Sequence, residues 1–147
     1  RMMSIQNPYS LLNRTYEVGL AEISIRDKIG LLAYSPLGFG HLTGKYLKDP
    51  KSPGRATLFP GYAKRYNKPG VSRAIKSYKN LADDFNLSLT ELALCFVYSQ
   101  WFVKSTIIGA TTMNQLKQNI NAYKTKLPDD VIDRIDQIHL EVMNPAP

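Results

Sequence analysis

Three short apolar runs, each leading through turn formers into a helical pattern, set the strongest limit on what this chain can fold into. They lie at residues 3–5 before Asn7-Pro8, at 31–34 before Pro36, and at 106–108 before Gly109. None alternates polar with apolar, which predicts strands of a parallel sheet covered on both faces. The segments between them carry helical spacing. Residues 13–28 predict a helix with Tyr16, Leu20 and Ile23 near helical spacing and Gly30 as its stop. Residues 71–85 place Ile75, Tyr78, Leu81, Ala82 and Phe85 on one face. The stretch SLTELALCFVYSQ opens with Ser88 and Glu91 at capping-box spacing, and Thr112 with Gln115 repeats that spacing before a helix at 116–123. A last helix at about 128–142 has Pro128 in its first turn, where its missing N–H costs nothing.

Residues 38–70 interrupt this pattern with Pro50, Pro53, Pro60 and Pro69. Loops this long are usually functional or disordered. Tyr46, Phe59, Tyr62 and Tyr66 argue for an ordered loop that packs on something. The predicted order is β-α-β-loop-α-α-β-α-α. Three parallel strands alone would leave both sheet edges open, which invites aggregation. A (β/α)8 barrel completes them, with these as consecutive late units. The 147 residues, against about 250 for a barrel, amount to its C-terminal half. A strand almost at residue 1 reads as the middle of a fold.

With 44% hydrophobic and 21% charged residues, the chain can bury a sizeable core. Its net charge of +7 invites an anionic partner. The basic residues are scattered rather than blocked, so nucleic acid is not expected. The single cysteine, Cys95, rules out an internal disulfide and sits on an apolar helical face. No Cys/His spacing suggests a metal. No apolar run approaches the roughly 18 residues of a membrane span and no signal peptide is visible. The chain reads as cytoplasmic, with no membrane partner.

In barrels, function gathers at the C-terminal ends of the strands. Those ends carry Gln6 and Asn7, then Tyr34, Ser35 and Pro36, then Gly109, Ala110, Thr111 and Thr112. An amide, an aromatic ring and a helix N-terminus would therefore share one face. A ring offers a stacking surface to a planar heterocycle. Gln6 can donate and accept, which matches a carboxamide. Phosphate favours a helix N-terminus, and Lys45 and Arg55 can add cations. Each group alone has a plainer reading: Tyr34 as a rim aromatic, Gln115 as part of a cap. GATT and TGKY lack the spacing of the usual phosphate loops. The joint placement is what points to a cofactor.

Four stretches, SIQNPYSLLNR, GLLAYSPLGFGHLTGKY, GRATLF and STIIGATTMNQLKQNI, together resemble the aldo-keto reductase superfamily. The resemblance is to its bacterial Tas-like branch, related to the potassium-channel beta subunits, and covers essentially the whole chain. It implies an NADP(H)-binding (β/α)8 barrel that reduces aldehydes or ketones by hydride transfer. Residues 1–147 would be its C-terminal half, strands six to eight, with a cofactor loop at about 38–70. The helices at 71–85 and 128–142 resemble the family's extra helices outside the barrel.

Carried over residue by residue, Gln6 would hydrogen-bond the nicotinamide carboxamide and Tyr34 would stack on its ring. Ser35, Pro36, Leu37, Gly38 and Gly40 resemble the loop around the pyrophosphate, with Lys45 and Arg55 as its basic contacts. Gly109 opens the last turn, where Thr111 and Gln115 fall at the adenosine 2′-phosphate end. Gln118 and Asn119 fall where an acid-Asn pair holds adenine, Gln118 departing from the usual glutamate. The family's catalytic Asp, Tyr, Lys and His belong to its N-terminal half. None of those motifs precedes Gln6, and His41 and His139 fall outside their context. The resemblance thus implies no catalytic residue here and no activity for this chain alone. Partners would be a small carbonyl substrate in the complete enzyme, and a missing N-terminal half or another copy over the strand edges. The alternative is a non-catalytic nucleotide-sensing or interaction module that completes a barrel with another chain.

Overall fold

Three parallel strands form one sheet in the order β1 (Ser4–Pro8), β2 (Gly30–Tyr34), β3 (Val103–Thr106). The protein is seen in a computed structural model that describes residues 2–147, apart from the side chains of Pro60 and Tyr62. A 3-10 turn (Thr15–Glu17) and α1 (Leu20–Asp27) join β1 to β2. A chain of short pieces follows β2: a 3-10 segment (Gly38–Thr43), α2 (Lys45–Lys48), α3 (Arg55–Leu58) and a second 3-10 segment (Pro60–Tyr66). Then come α4 (Pro69–Asp84) and α5 (Leu89–Tyr98), and after β3, α6 (Met113–Ala122) and α7 (Asp129–Glu141). The element order is the expected one. The segment at 38–70 is ordered, as its aromatics suggested, and Tyr66 is buried. Tyr62 lies outside the described side chains.

Side chains alternate across a strand, and burial follows that alternation. Leu31 and Ala33 are fully buried, whereas Gly30, Leu32 and Tyr34 on the other face are only half covered. Gln6 pairs with Leu32 and Pro8 with Tyr34, so this open face continues onto β1. The expected cover on both faces is therefore not found among the described residues. The short apolar runs could not show this, because Leu32 is as apolar as Leu31. In a closed barrel such a face would look onto the lumen.

The covered face sits on a core built around Tyr9, Phe96 and Phe102. Tyr9 stacks on Phe96 at 5.8 Å and meets Phe102 edge-on at 5.1 Å. α4 and α7 pack together and bring Val71, Ile75, Tyr78, Val131 and Ile135 to the same core. Arg14 ties this assembly to the end of the chain. Its guanidinium reaches Glu17 at 2.7 Å and Asp136 at 2.6 Å, and lies over the Phe96 ring. Tyr9 donates its hydroxyl to Glu17, and burial pushes that phenol well above its ordinary value. Among the described residues, no helix is long and apolar enough to cross a membrane.

Several boundaries differ from the sequence reading. The helix expected at 13–28 is broken at Gly19, whose φ of 94° is left-handed. The break turns the helix so that Ala21 and Ser24 face inward, while Leu20 and Ile23 are 36% and 50% exposed. That helix ends at Lys28 in a left-handed cap, and Gly30 begins β2 instead of stopping the helix. A Cβ at Gly30 would lie 2.5 Å from the Lys104 side chain. β3 lies at 103–106 rather than 106–108, its pairing with β2 carrying the polar Lys104, Ser105 and Thr106 and an irregularity that sets Leu31 opposite Val103 but Leu32 opposite Ser105. Pro128 caps α7 in an extended conformation, one residue before its first turn.

Candidate functional site

At the C-terminal end of the sheet, Tyr34 and Gln6 stand on the open face, Gln6 exposed and Tyr34 half-buried. The chain leaves β2 through a run of left-handed residues: Ser35 (φ 56°), Gly38 (52°), Phe39 (57°), Gly40 (89°) and Gly44 (78°). For Ser35 and Phe39 this costs about 1–2 kcal/mol each, so surrounding structure must hold them there. Gly38 N–H donates to the Ser35 carbonyl and Gly40 N–H to the Leu37 carbonyl, both at 2.9 Å. Pro36 is buried and Leu37 half-buried, so the loop is anchored on its apolar side. A Cβ at Gly38 would press on Leu12 and Tyr66 at 3.2–3.3 Å, in a conformation that already favours glycine.

Behind this loop runs a ladder of rings with a cation at each end. The Arg55 guanidinium lies 5.5 Å over Phe39, and Phe39 meets Tyr66 at 5.6 Å. Tyr66 stacks on His41 at 4.9 Å, His41 meets Tyr46 at 4.8 Å, and Lys45 Nζ lies 4.8 Å from the Tyr46 ring centre. Cations over aromatic faces are attracted by the ring quadrupole. Neither Lys45 nor Arg55 has an ion-pair partner among the described residues. Burial, and then the neighbouring Lys45, hold the His41 imidazole below its ordinary value. His41 Nε2 and Tyr46 Oη are both buried without a hydrogen-bond partner among the described residues, and their side chains line a cavity of about 160 Å³ against α4.

The third strand end leads to the start of α6. Thr112 caps it by accepting the Gln115 N–H at 3.2 Å. The other half of the expected capping box is shifted by one residue. Gln115 Oε1 accepts from the backbone N–H and the hydroxyl of Thr111, at 2.8 and 3.0 Å. Gln118 Nε2 donates to Ser88 Oγ at 3.3 Å, across to the cap of α5. Asn119 is 2% exposed, and its Nδ2 donates to the Gly109 carbonyl at 3.2 Å. Thr111, Gln115 and Gln118 are exposed, as is Gly109. The structure thus brings Gln6, Tyr34 and residues 35–40 to one end of the sheet, with Lys45 and Arg55 on the ladder behind the loop. Asn119 is turned inward to brace the Gly109 turn.

A roomier cleft, about 270 Å³, lies at the other end of the sheet, lined by Ile25, Lys28, Gly30, Trp101 and Lys104 among others. It shares no residue with the groups above, and size alone does not make it the site. Cys95 is inert in this setting: burial pushes its thiol up to about 11, and Sγ donates to the Ala122 carbonyl. Sequence reasoning named Tyr46 and Tyr66 as packing aromatics of this loop but missed His41 and Gly54 as parts of its support. The clustering of aromatics at 39–66 was the available signal, but which rings touch depends on how the loop turns.

The aldo/keto reductase family matches residues 1–140. Protein tas of Escherichia coli (strain K12) is 49% identical over all of this chain, which spans 42% of that protein. A probable voltage-gated potassium channel subunit beta of Arabidopsis thaliana is 36% identical over 75% of this chain and 35% of its own length. An NADH-specific methylglyoxal reductase of Escherichia coli (strain K12) is 30% identical over 85% of this chain and 38% of its own length. Among solved structures, a glycerol dehydrogenase from Gluconobacter oxydans superposes with a TM-score of 0.76 at 25% identity, over 96% of this chain and 43% of that one. The chain therefore spans less than half the length of these relatives, and its three-stranded sheet and helices are part of an α/β barrel. With the family matched along nearly its whole length, the chain belongs to the aldo/keto reductase family.

Proposed function

We propose that this chain is the cofactor-holding part of an NADPH-dependent carbonyl reductase, whose proton-donating residues come from barrel strands outside it. One observation carries the reading. An open aromatic ring, an exposed amide, a loop of left-handed turns and an exposed helix start gather at the same end of the sheet. The loop is backed by cations that have no acidic partner among the described residues. These features fit a nicotinamide dinucleotide. Tyr34 is only half covered on the face where a planar ring would lie, and the loop at 35–40 turns tightly enough for backbone to approach a pyrophosphate.

The cofactor, when bound, supplies hydride. This chain's residues orient it: Tyr34 by stacking on one face of the nicotinamide, Gln6 by pairing with its carboxamide. Ser35, Pro36, Leu37, Gly38 and Gly40 wrap the pyrophosphate, with Lys45 and Arg55 as its cations. Thr111 and Gln115, at the turn opened by Gly109, take the 2′-phosphate end, and Gln118 the adenine. Asn119, buried and turned inward, supports the adenine end by holding the Gly109 turn in place. The unpaired edges of β1 and β3 take further strands from the rest of the gene product or from another chain.

The test is a titration of NADPH and of NADH, which the comparison with an NADH-specific relative makes necessary, beside an assay of aromatic aldehyde reduction. The chain completed with the remaining barrel strands is expected to bind NADPH and turn over. The 147 residues alone are expected to show no turnover. Ordinary enzymatic rates from the chain alone would overturn the reading, as would failure of both cofactors to bind the completed barrel.

A further inference from the structure

Lysine is costly to order, losing up to about 2 kcal/mol of side-chain freedom when fixed. A fixed lysine without an acid beside it therefore asks for a reason. Lys45 is such a residue. Its Nζ donates to the Pro53 carbonyl at 3.0 Å and lies over the Tyr46 ring. No carboxylate pairs with it among the described residues. An ammonium has three N–H donors, so that single hydrogen bond leaves the others unused.

What leaves room for the ammonium there is the absence of side chains around it. A Cβ on Gly54 would lie 2.2 Å from Lys45 Nζ and 2.5 Å from Tyr46 Oη. A Cβ on Gly40 would lie 3.4 Å from Lys45 Cε and 3.8 Å from the Tyr46 ring. The lysine end thus occupies the space a side chain at residue 54 would need. Gly54 has φ of 169° and ψ of −180°, extended backbone that any residue adopts. Its backbone conformation does not require glycine, but a side chain there would have to displace the Lys45 ammonium and the Tyr46 hydroxyl.

We infer that Gly54 and Tyr46 are positioning residues that fix the Lys45 ammonium beside the loop, with spare N–H groups ready for an anionic oxygen. The oxygen class is phosphate, which rests on the cofactor reading above; the box around the ammonium does not depend on it. A lysine so fixed has met its ordering cost before the ligand arrives, which favours binding. The box also places the cation at the far end of the ladder from Arg55.

The test follows the ammonium itself. In the natural gene product, each lysine is labelled by a brief pulse of acylating reagent and read by mass spectrometry. Lys45 is expected to label about fivefold more slowly than its exposed neighbour Lys48, from its hydrogen bond and ring contact. Gly54→Ala should raise Lys45 to the rate of Lys48. Tyr46→Leu should do the same, and Tyr46→Phe, which keeps the ring, should not. Gly61→Ala is the control, since no atom of the described residues beyond its chain neighbours lies within 4 Å of a Cβ there. Equal labelling of Lys45 and Lys48 in the unchanged protein overturns the inference. So does a Gly54→Ala variant in which Lys45 stays slow, or a Gly61→Ala variant that frees it equally. Repeating the pulse with NADPH separates the two readings. Lys45 is expected to be protected further in the unchanged protein. If Gly54 controls Lys45 but NADPH gives no protection, the positioning stands and the cofactor contact falls.

Discussion

Leu31 and Ala33 are fully buried, while Leu32 and Tyr34, their neighbours on the same strand, are only half covered. The difference is one of facing, not of composition. One side of the sheet meets helices and the Tyr9, Phe96 and Phe102 cluster. The other presents Gln6, Leu32 and Tyr34 to open space. A covered face stabilises through burial and close packing, and an open face is free to meet a ligand. Substitutions on the two sides should therefore move different observables.

The largest expected effect is on the covered side. Phe96→Ala removes a buried ring from beneath Tyr9 and Arg14 and should cost about 3–5 kcal/mol of unfolding free energy. Urea denaturation measures it, and a loss below about 1 kcal/mol would mean that this cluster is not the core. On the open side, Tyr34→Leu should leave the urea midpoint nearly unchanged, within about 1 kcal/mol. It should weaken NADPH binding about tenfold by removing the stacking surface. A variant that unfolds while keeping its cofactor affinity would reverse the assignment of the two faces.

How much of this was readable from sequence differs between the same two sides. The element order, the caps at Ser88 and Thr112, and the helical face of α4 were legible, because period and capping chemistry are local. The facing of the strands was not, since Leu31 and Leu32 are the same residue. Gly19 hid the turn of α1, because an isolated glycine looks tolerable inside a helical pattern. The Arg14–Asp136 pair joins residues far apart in sequence, and no local pattern announces it. The residues proposed for the cradle came from resemblance and the joint position of strand ends. The role proposed for Gly54 could not come that way, because it depends on a lysine side chain curling back to the Pro53 carbonyl.

The smallest effect expected is on pH dependence, and it belongs to the supporting layers on both sides. His41 behind the loop and His139 on α7 are both held below their ordinary 6.5, chiefly by burial. The unfolded chain then binds more protons than the folded one below that pH, so stability rises with pH across this window. Their contribution is complete above about 6.5 and is lost as pH falls toward the depressed folded-state values. Denaturation midpoints should decline from neutral into mildly acidic buffer. His41→Gln should flatten the decline in part; an unchanged slope would remove His41 from the account.

The central claim is that the C-terminal end of the sheet holds the cofactor. Hydrogen–deuterium exchange on the gene product, with and without saturating NADPH, tests it most directly. Protection is expected at 35–45, at 54–55 and at 109–115, with little change around the cleft lined by Ile25, Trp101 and Lys104. Protection centred on that cleft, with residues 35–45 unaffected, would contradict the account.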